Sequence, residues 1–564
     1  MIKDAALTPA TSTNRLASYL GAAVVLVLVI VALVPAMPSL YHMPGTDNAI
    51  FLLMGDKIRQ GDLPFRDWYD HKPPLIFYLN ALGLWLGQGS RWGVWAIELI
   101  SLAAAALCGY AFLKRYFGAL AAALGVSATL LSLSLVFERG NLTEEYALTY
   151  PFAAFLLLAQ EEERPRPGWR MAAVGVMIAM ASTLKQPLAG FGLAVTVYLL
   201  LRYLVNGQPR LFVPAMARIF LGFAAVWLAW FVYFLFLGIF PEFWDAAFAL
   251  NFALSSQPLA DRLSALRSAI VMLWDLSGYF LAGMLAWLAA VVLLLKDSRA
   301  CFGLSRRLTR GQPVGNDPQT APLLLPLIIG AVGFPVDLVL SGLSGSNFVH
   351  YFTALLPTLT VLIAFLAHAL VELFRPASKH MPSQIWLAAL FIPVFAPGAY
   401  STIDQMGPRG DRQIEAMIEY VNANTQPGDT IYQWGINPQV YIFTGRDSPS
   451  RYFFPNHLFI DGYSGQEQTA EFLRSLQAHP PAVIFDGSIE RIPLLIPVEP
   501  ESCEVVKDPA YYAQYVAKWE GIDSDKMPQM PQGMDEVYFW ICENYAPAGT
   551  VGELGWQVYR WKGN

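Results

Sequence analysis

Runs of about 20 apolar residues recur along this 564-residue chain, and nothing else in it restricts the fold so strongly. A helix needs that length to cross roughly 30 Å of hydrocarbon, where every backbone polar group must be satisfied internally. Windows of that size fall near 17–38, 74–112 (a short surface helix, then a span), 117–137, 146–160, 171–184 and 188–205. Others fall near 219–240, 267–295, 321–341, 351–373 and 385–403. The expected fold class is therefore an α-helical polytopic membrane protein with about 11 transmembrane helices. The 146–160 and 171–184 windows are short, which fits tilted, broken or partly protein-covered helices.

Short connections set the orientation. Alternate loops carry Lys114 and Arg115, then Arg164, Arg166 and Arg170, then Arg202, Arg210 and Arg218. The same side receives Lys296, Arg299, Arg306, Arg307, Arg310, Arg375 and Lys379, together with Lys3 and Arg15 of the amino terminus. The positive-inside rule makes that side cytoplasmic. Loops 39–73, 138–145, 241–266 and 342–350, and everything after residue 403, then lie outside. The first apolar segment is too long for a cleaved signal peptide and has no small-residue cleavage site before Tyr41.

The chain thus reads as a membrane module, 1–403, and an outer soluble domain, 404–564. In the latter, DRQIEAMIEYVNAN and QTAEFLRSLQAH have helical periodicity. Each is followed by a proline-containing turn and a short apolar strand, TIYQWG and AVIFDG, and WQVYRWK adds another strand. Helix, turn and strand repeated twice argue for a small α/β domain. Cys503 and Cys542 both fall in it and are expected to form a disulfide. No Cys/His metal spacing and no phosphate-binding glycine loop occurs, which argues against a nucleotide-driven pump. A net charge of −6 gives no reason to expect a nucleic-acid partner.

Only 14% of residues are charged, yet GDLPFRDWYDHKPPL (61–75) concentrates Asp62, Arg66, Asp67, Asp70, His71 and Lys72 beside the first span. Polar groups are costly at that boundary, so a site is expected there. Pro73 and Pro74 keep Lys72 out of helical conformation and hold it rigidly, a setting suited to an anionic phosphate. An interfacial anchor, with Lys72 snorkelling and Trp68 and Tyr69 in the aromatic belt, is the alternative. Asp67, Asp70 and His71 are candidates to orient Lys72, contact a polar substrate or bind a divalent cation. Asp47 is suited to a general base, and equally to capping the helix it precedes. The second outer loop, FERGNLTEEYALTYP, supplies Glu138, Arg139, Glu144 and Glu145 close to the membrane. Lys185, in ASTLKQPL, and His350, in SGSNFVHYFTALLP, are further candidate phosphate contacts. A helix C-terminal charge and an ordinary hydrogen-bonded histidine are their plainer readings.

Taken together, the acid after the first helix, G-D-L-P-F-R-D-x-x-x-x-K-P-P-L, NLTEEYAL, STLKQP, NFVHYFTALLP and QWGINPQVYIFTGRDSPSRYFFP resemble the C-type superfamily (GT-C) of integral-membrane glycosyltransferases. The likeness is nearest to bacterial relatives of protein O-mannosyltransferase and of the lipid A aminoarabinose transferase. The resemblance implies transfer of one sugar from a polyprenyl-phosphate donor to a hydroxyl of a lipid, glycan or protein, usually with inversion. It implies a bacterial inner-membrane setting, Asp47 as base, Lys72 on the donor phosphate, and a role for Glu144 or Glu145. Two departures are visible. Many relatives have two consecutive acids where this chain has Asp47-Asn48. The aminoarabinose transferase has a glutamate where His71 stands, so its metal ligation does not carry over. The rival reading, a transporter or flippase, predicts charges within spans and a repeated hydropathy pattern. Glu98, Asp275 and Asp337 are the main in-span charges, and no repeat is visible.

Overall fold

A computed structural model describes residues 12–563 except 163, 165, 255–258, 277, 309–323, 343–347, 375–382, 409, 461–462, 464, 488–502, 509 and 512–529. The basic residues Lys3, Arg310, Arg375 and Lys379, invoked for orientation, lie outside the described residues. The helices run α1 (Ser12–Leu33), α2 (Thr46–Gln60), α3 (Leu75–Leu86), α4 (Arg91–Ser132), α5 (Thr143–Ala147), α6 (Thr149–Glu161), α7 (Trp169–Ser182), α8 (Phe191–Val205) and α9 (Phe212–Phe236). They continue with α10 (Phe240–Trp244), α11 (Leu250–Leu254), α12 (Leu259–Leu276), α13 (Gly278–Leu308), α14 (Leu324–Ile328), α15 (Phe334–Ser341), α16 (Leu356–Phe374) and α17 (Ser383–Asp404). The remainder holds α18 (Arg412–Asn424), β1 (Ile431–Trp434), α19 (Gln439–Thr444), α20 (Gln466–Ala478), β2 (Val483–Asp486), α21 (Met534–Asn544), β3 (Tyr545–Val551) and β4 (Trp556–Trp561).

Among the described residues, six helices are long and apolar enough to cross a membrane: Arg15–Ala36, Arg91–Leu135, Gln186–Val205, Pro209–Phe236, Gly278–Lys296 and Val349–Val371. The second covers 45 residues, more than twice what one crossing needs. It breaks at Gly118 (φ 83°, ψ 167°), a backbone conformation essentially reserved for glycine. The helices at 146–160 and 171–184 are indeed short, 13 and 14 residues. The 267–295 window takes in the end of α12, described to Leu276, and the start of α13, described from Gly278. There α13 meets α17 backbone to backbone, since a Cβ on Gly278 would lie 2.4 Å from the Pro393 carbonyl oxygen.

The chain forms two compact units. One comprises 1–40, 95–232 and 258–407, and a single apolar core runs through it, including Leu102, Phe155, Tyr198, Phe334 and Leu359. Glycines let helices touch: a Cβ on Gly175 or Gly222 would stand 1.9 Å from the facing carbonyl of α9 or α7. Buried hydroxyls are satisfied among themselves, as at Thr129, which meets Tyr279 at 3.0 Å and Thr360 at 2.6 Å.

The other unit comprises 41–94, 233–257 and 408–564. Its sheet has the order β1-β2-β4-β3, with β1 and β2 parallel and the other pairs antiparallel. The strands read from the sequence are present. The amphipathic α18 is capped by Asp411, which accepts the N–H groups of Gln413 and Ile414. Trp434 and Tyr432 on β1 pack on Phe472 of α20, and Trp434 also on Tyr538 of α21. Cys503 and Cys542 form the expected disulfide. In α2 and α3, Gly55 lets the helices close, because a Cβ there would sit 2.6 Å from Asn80.

Candidate functional site

The sequence-predicted residues fall into two clusters, one in each unit. In the unit holding the first outer loop, α2 starts after Gly45, so Asp47 lies in its first turn and is not the N-cap residue. Unsatisfied N–H groups give that turn partial positive charge, which favours a carboxylate. Gln439 secures the entry by donating to the Pro44 carbonyl at 2.9 Å.

The loop that follows is held by its own side chains. Asp67 accepts the Leu63 N–H at 2.8 Å and pairs with Arg66 at 2.7 Å. The Arg66 bond holds the Asp67 carboxyl below the ordinary range. Asp67 therefore engages its own loop. Asp62 accepts the Trp68 indole at 3.0 Å, and the Arg451 carbonyl accepts the Tyr69 N–H at 2.9 Å.

Asp70, His71 and Lys72 come next, and α3 begins immediately after Pro74. Asp70 and Lys72 are both buried. Asp70 Oδ1 accepts the Lys72 N–H at 2.9 Å. Burial pushes the Asp70 carboxyl up to about 6, with Lys72 opposing and Asp47 adding to the rise. The Lys72 ammonium lies 3.3 Å from His71 Nε2, and His71 Nδ1 lies 3.4 Å from His457 Nε2. Burial, then the charge of Lys72, pushes His457 down to about 3, so its ring is neutral at physiological pH. Asn251, which follows a π-helical turn at Asp245–Ala249, donates to the His71 carbonyl at 2.7 Å. Asp245 accepts from Tyr463, whose hydroxyl also meets that of Tyr69. Sequence reading missed His457, Asn251 and Asp245: each is a single polar residue far along the chain, with no motif around it.

The second cluster surrounds the ERGN turn. Glu138, Arg139, Gly140 and Asn141 are consecutive residues with φ of 45°, 66°, 90° and 53°. Such a left-handed run is sterically costly for residues with a Cβ and persists only where surroundings fix it. The carboxylate of buried Glu98 accepts the Asn141 N–H, and His350 Nδ1 stands 3.0 Å from Glu138. Adjacent Glu144 and Glu145 are both buried and face different partners. Glu144 accepts from Lys185 at 2.6 Å and from Thr143 at 2.7 Å. Burial opposes its ionisation, but Lys185 and His350 outweigh that and hold it at about 2. Burial, then the neighbouring Glu98, pushes Glu145 well above the ordinary range. The Lys185 ammonium also sits 3.2 Å from the centre of the Tyr351 ring. Glu144, Lys185, Leu188, Asp337, Ser341 and Tyr351 line a small cleft in this unit.

Residues 71–230 match the family described as dolichyl-phosphate-mannose-protein mannosyltransferase. Apo ArnT from Cupriavidus metallidurans superimposes with a TM-score of 0.50 at 16% identity, covering 83% of this chain and 92% of that one. The fold is that of this ArnT structure. The same ArnT bound to undecaprenyl phosphate gives a TM-score of 0.46 at 17% identity, over 78% of this chain and 86% of its own. The archaeal oligosaccharyltransferase AglB from Archaeoglobus fulgidus, in complex with an inhibitory peptide and a dolichol-phosphate, gives 0.49 at 13% identity, over 97% and 74%. No curated protein matches by sequence. The matched family segment begins at His71, beside Lys72, and runs through Glu144 and Lys185.

Proposed function

We propose that this chain transfers a single sugar from a polyprenyl-phosphate donor to a hydroxyl of a lipid, glycan or protein acceptor, with inversion at the sugar carbon. One observation carries the reading: a buried lysine, fixed by two prolines and the Asp70 carboxylate, shares a compact unit with a carboxylate in the first turn of α2. The family matching 71–230 is described by a polyprenyl-type sugar donor, which supports the donor class.

A phosphate is already a good leaving group, so a fixed cation at Lys72 supplies what the departing oxygen needs, charge stabilisation without reorganisation. Asp47 takes the acceptor hydroxyl proton as the new bond to the sugar carbon forms. Asp70 positions Lys72 through the backbone. In their own unit, Lys185 and His350 already face Glu144 and Glu138, so a phosphate contact there competes with a carboxylate. Glu144 would orient Lys185, and Glu145, hydrogen-bonded to Glu98, would hold the loop beside it. The setting we propose is a bacterial inner membrane, crossed about eleven times, with a cytoplasmic amino terminus and residues 404–564 as an outer α/β domain. The Cys503–Cys542 disulfide supports an oxidising compartment for that part.

Sugar release from a panel of radiolabelled polyprenyl-phosphate monosaccharides tests the reading. One donor should turn over in the wild type. Lys72→Ala should slow it by about 10²–10³-fold, and Asp47→Asn by at least about 10²-fold. Undiminished turnover in Asp47→Asn would move the base elsewhere, and no turnover of any donor would sink the transferase reading.

A further inference from the structure

We infer that Glu98 and Glu145 hold a single proton between them and with it clamp the left-handed turn of the second outer loop, a turn that positions Lys185 and His350. Glu98 comes from α4, 43 residues before Asn141. Its carboxylate accepts the Asn141 N–H and fills the space a side chain at Gly140 would need, since a Cβ there would stand 2.5 Å from Glu98 Oε1. The other neighbours of that space, Ala36 and Phe137, are apolar. Successive residues of positive φ from Glu138 to Asn141 are thus anchored on one buried carboxylate.

Such a brace needs only one acceptor. A second buried acid, Glu145, is nevertheless hydrogen-bonded to Glu98. Two carboxylates in contact away from water repel, and neither has a proton to donate. With one proton, the repulsion becomes a charge-assisted O–H···O⁻ bond. The groups around the pair do not replace that proton. Tyr146 lies in the field of both acids but donates its hydroxyl to Asn141 Oδ1 at 3.3 Å. Lys185 is committed to Glu144, and His350 to Glu138. Arg139 is buried in the same turn, yet burial and Glu98 still keep Glu145 well above the ordinary carboxyl range.

Glu138 opens the turn and Glu144 immediately precedes Glu145, so the shape of this loop sets where His350 and Lys185 stand. The effect on a donor rests on the phosphate role proposed above. Glu145 titrates higher in the folded chain than its ordinary value near 4.5. The contribution of the shared proton is therefore whole below that value and is lost as pH rises through the folded one. Its loss leaves two buried negative charges against each other. The turn, held by one of them, then opens on the alkaline side.

The infrared carbonyl stretch of a neutral carboxylic acid reads the proton in the full-length protein in detergent, with no need for turnover. Wild type should show a band that fades as pH rises; it should be missing from Glu145→Gln and fade at lower pH in Glu98→Gln, which removes the repelling charge. Once the band has gone, hydrogen exchange in peptides covering 138–145 should be about 10-fold faster or more in wild type than in Glu145→Gln at the same pH. While the band is present, the two should exchange alike. Glu98→Leu, which offers Asn141 no acceptor, should exchange fast at every pH, and Glu98→Gln should restore protection. Donor KM should rise in wild type as the band fades, and should not follow it in Glu145→Gln. Size-exclusion profiles and thermal unfolding identify variants that have kept the fold. A band undiminished in a folded Glu145→Gln, or alkaline exchange in 138–145 indifferent to that substitution, overturns the inference. Band and protection without donor turnover would uphold the clamp and refute the transferase; turnover without the band would do the reverse.

Discussion

Adjacent glutamates in the second outer loop illustrate how little residue type alone decides. Glu144 is held ionised by Lys185, whereas Glu145 is pushed toward its protonated form by burial beside Glu98. Glu144→Gln should lower stability at pH 7 by on the order of 3 kcal/mol, since it leaves a largely buried ammonium without its partner. Glu145→Gln, a neutral isostere, should change it by less than about 1 kcal/mol. Thermal unfolding in detergent distinguishes the two. Glu144 titrates lower in the folded chain than its ordinary value near 4.5, so its contribution is fully present above that value. It is lost as pH falls toward about 2, and the gap between wild type and Glu144→Gln should close over that window. In the sequence both acids were visible and their opposite states were not, because the deciding partners, Lys185 and Glu98, lie more than 40 residues away on either side. Lys72 and Asp47 stood out because prolines and a helix start surround them. His457 did not, since FPNHLF has no periodicity or spacing that separates it from any other loop histidine.

At the level of the element, hydropathy located the apolar helices well and their interruptions poorly. The Gly118 break follows from a single backbone angle pair, and windowed averages pass over it. Gly118→Ala meets no atom within 4 Å, so any loss is conformational. It should cost about 1–3 kcal/mol, read as a lower unfolding temperature. Gly140→Ala should cost more, because its Cβ would approach Glu98 Oε1 to 2.5 Å and Ala36 Cβ to 3.0 Å at a φ of 90°. The strands and amphipathic helices after residue 408 were legible, because period-2 and period-3.6 patterns with proline and glycine between them are local signals. The left-handed run at 138–141 was not: Gly140 and Asn141 tolerate positive φ, but Glu138 and Arg139 carry no signature of it.

For the molecule as a whole, the disulfide was readable because Cys503 and Cys542 both fall in the stretch read as an outer domain. It closes a loop across 39 positions, so its removal in Cys503→Ser/Cys542→Ser should cost on the order of 4 kcal/mol in the chain-entropy account. Alkylation before and after reduction should find both thiols blocked in the native chain. The grouping of 41–94 with 233–257 and 408–564 could not be read linearly, because it depends on which surfaces meet. It has a consequence on the ribosome. Val94 precedes Trp556, the start of β4, by about 460 residues, and at roughly 5–20 residues per second that is on the order of a minute of translation. Through that interval the nascent Asp70–Lys72 segment waits for His457 and for the sheet that completes its unit, with the α2–α3 hairpin as the part of that unit it can already fold.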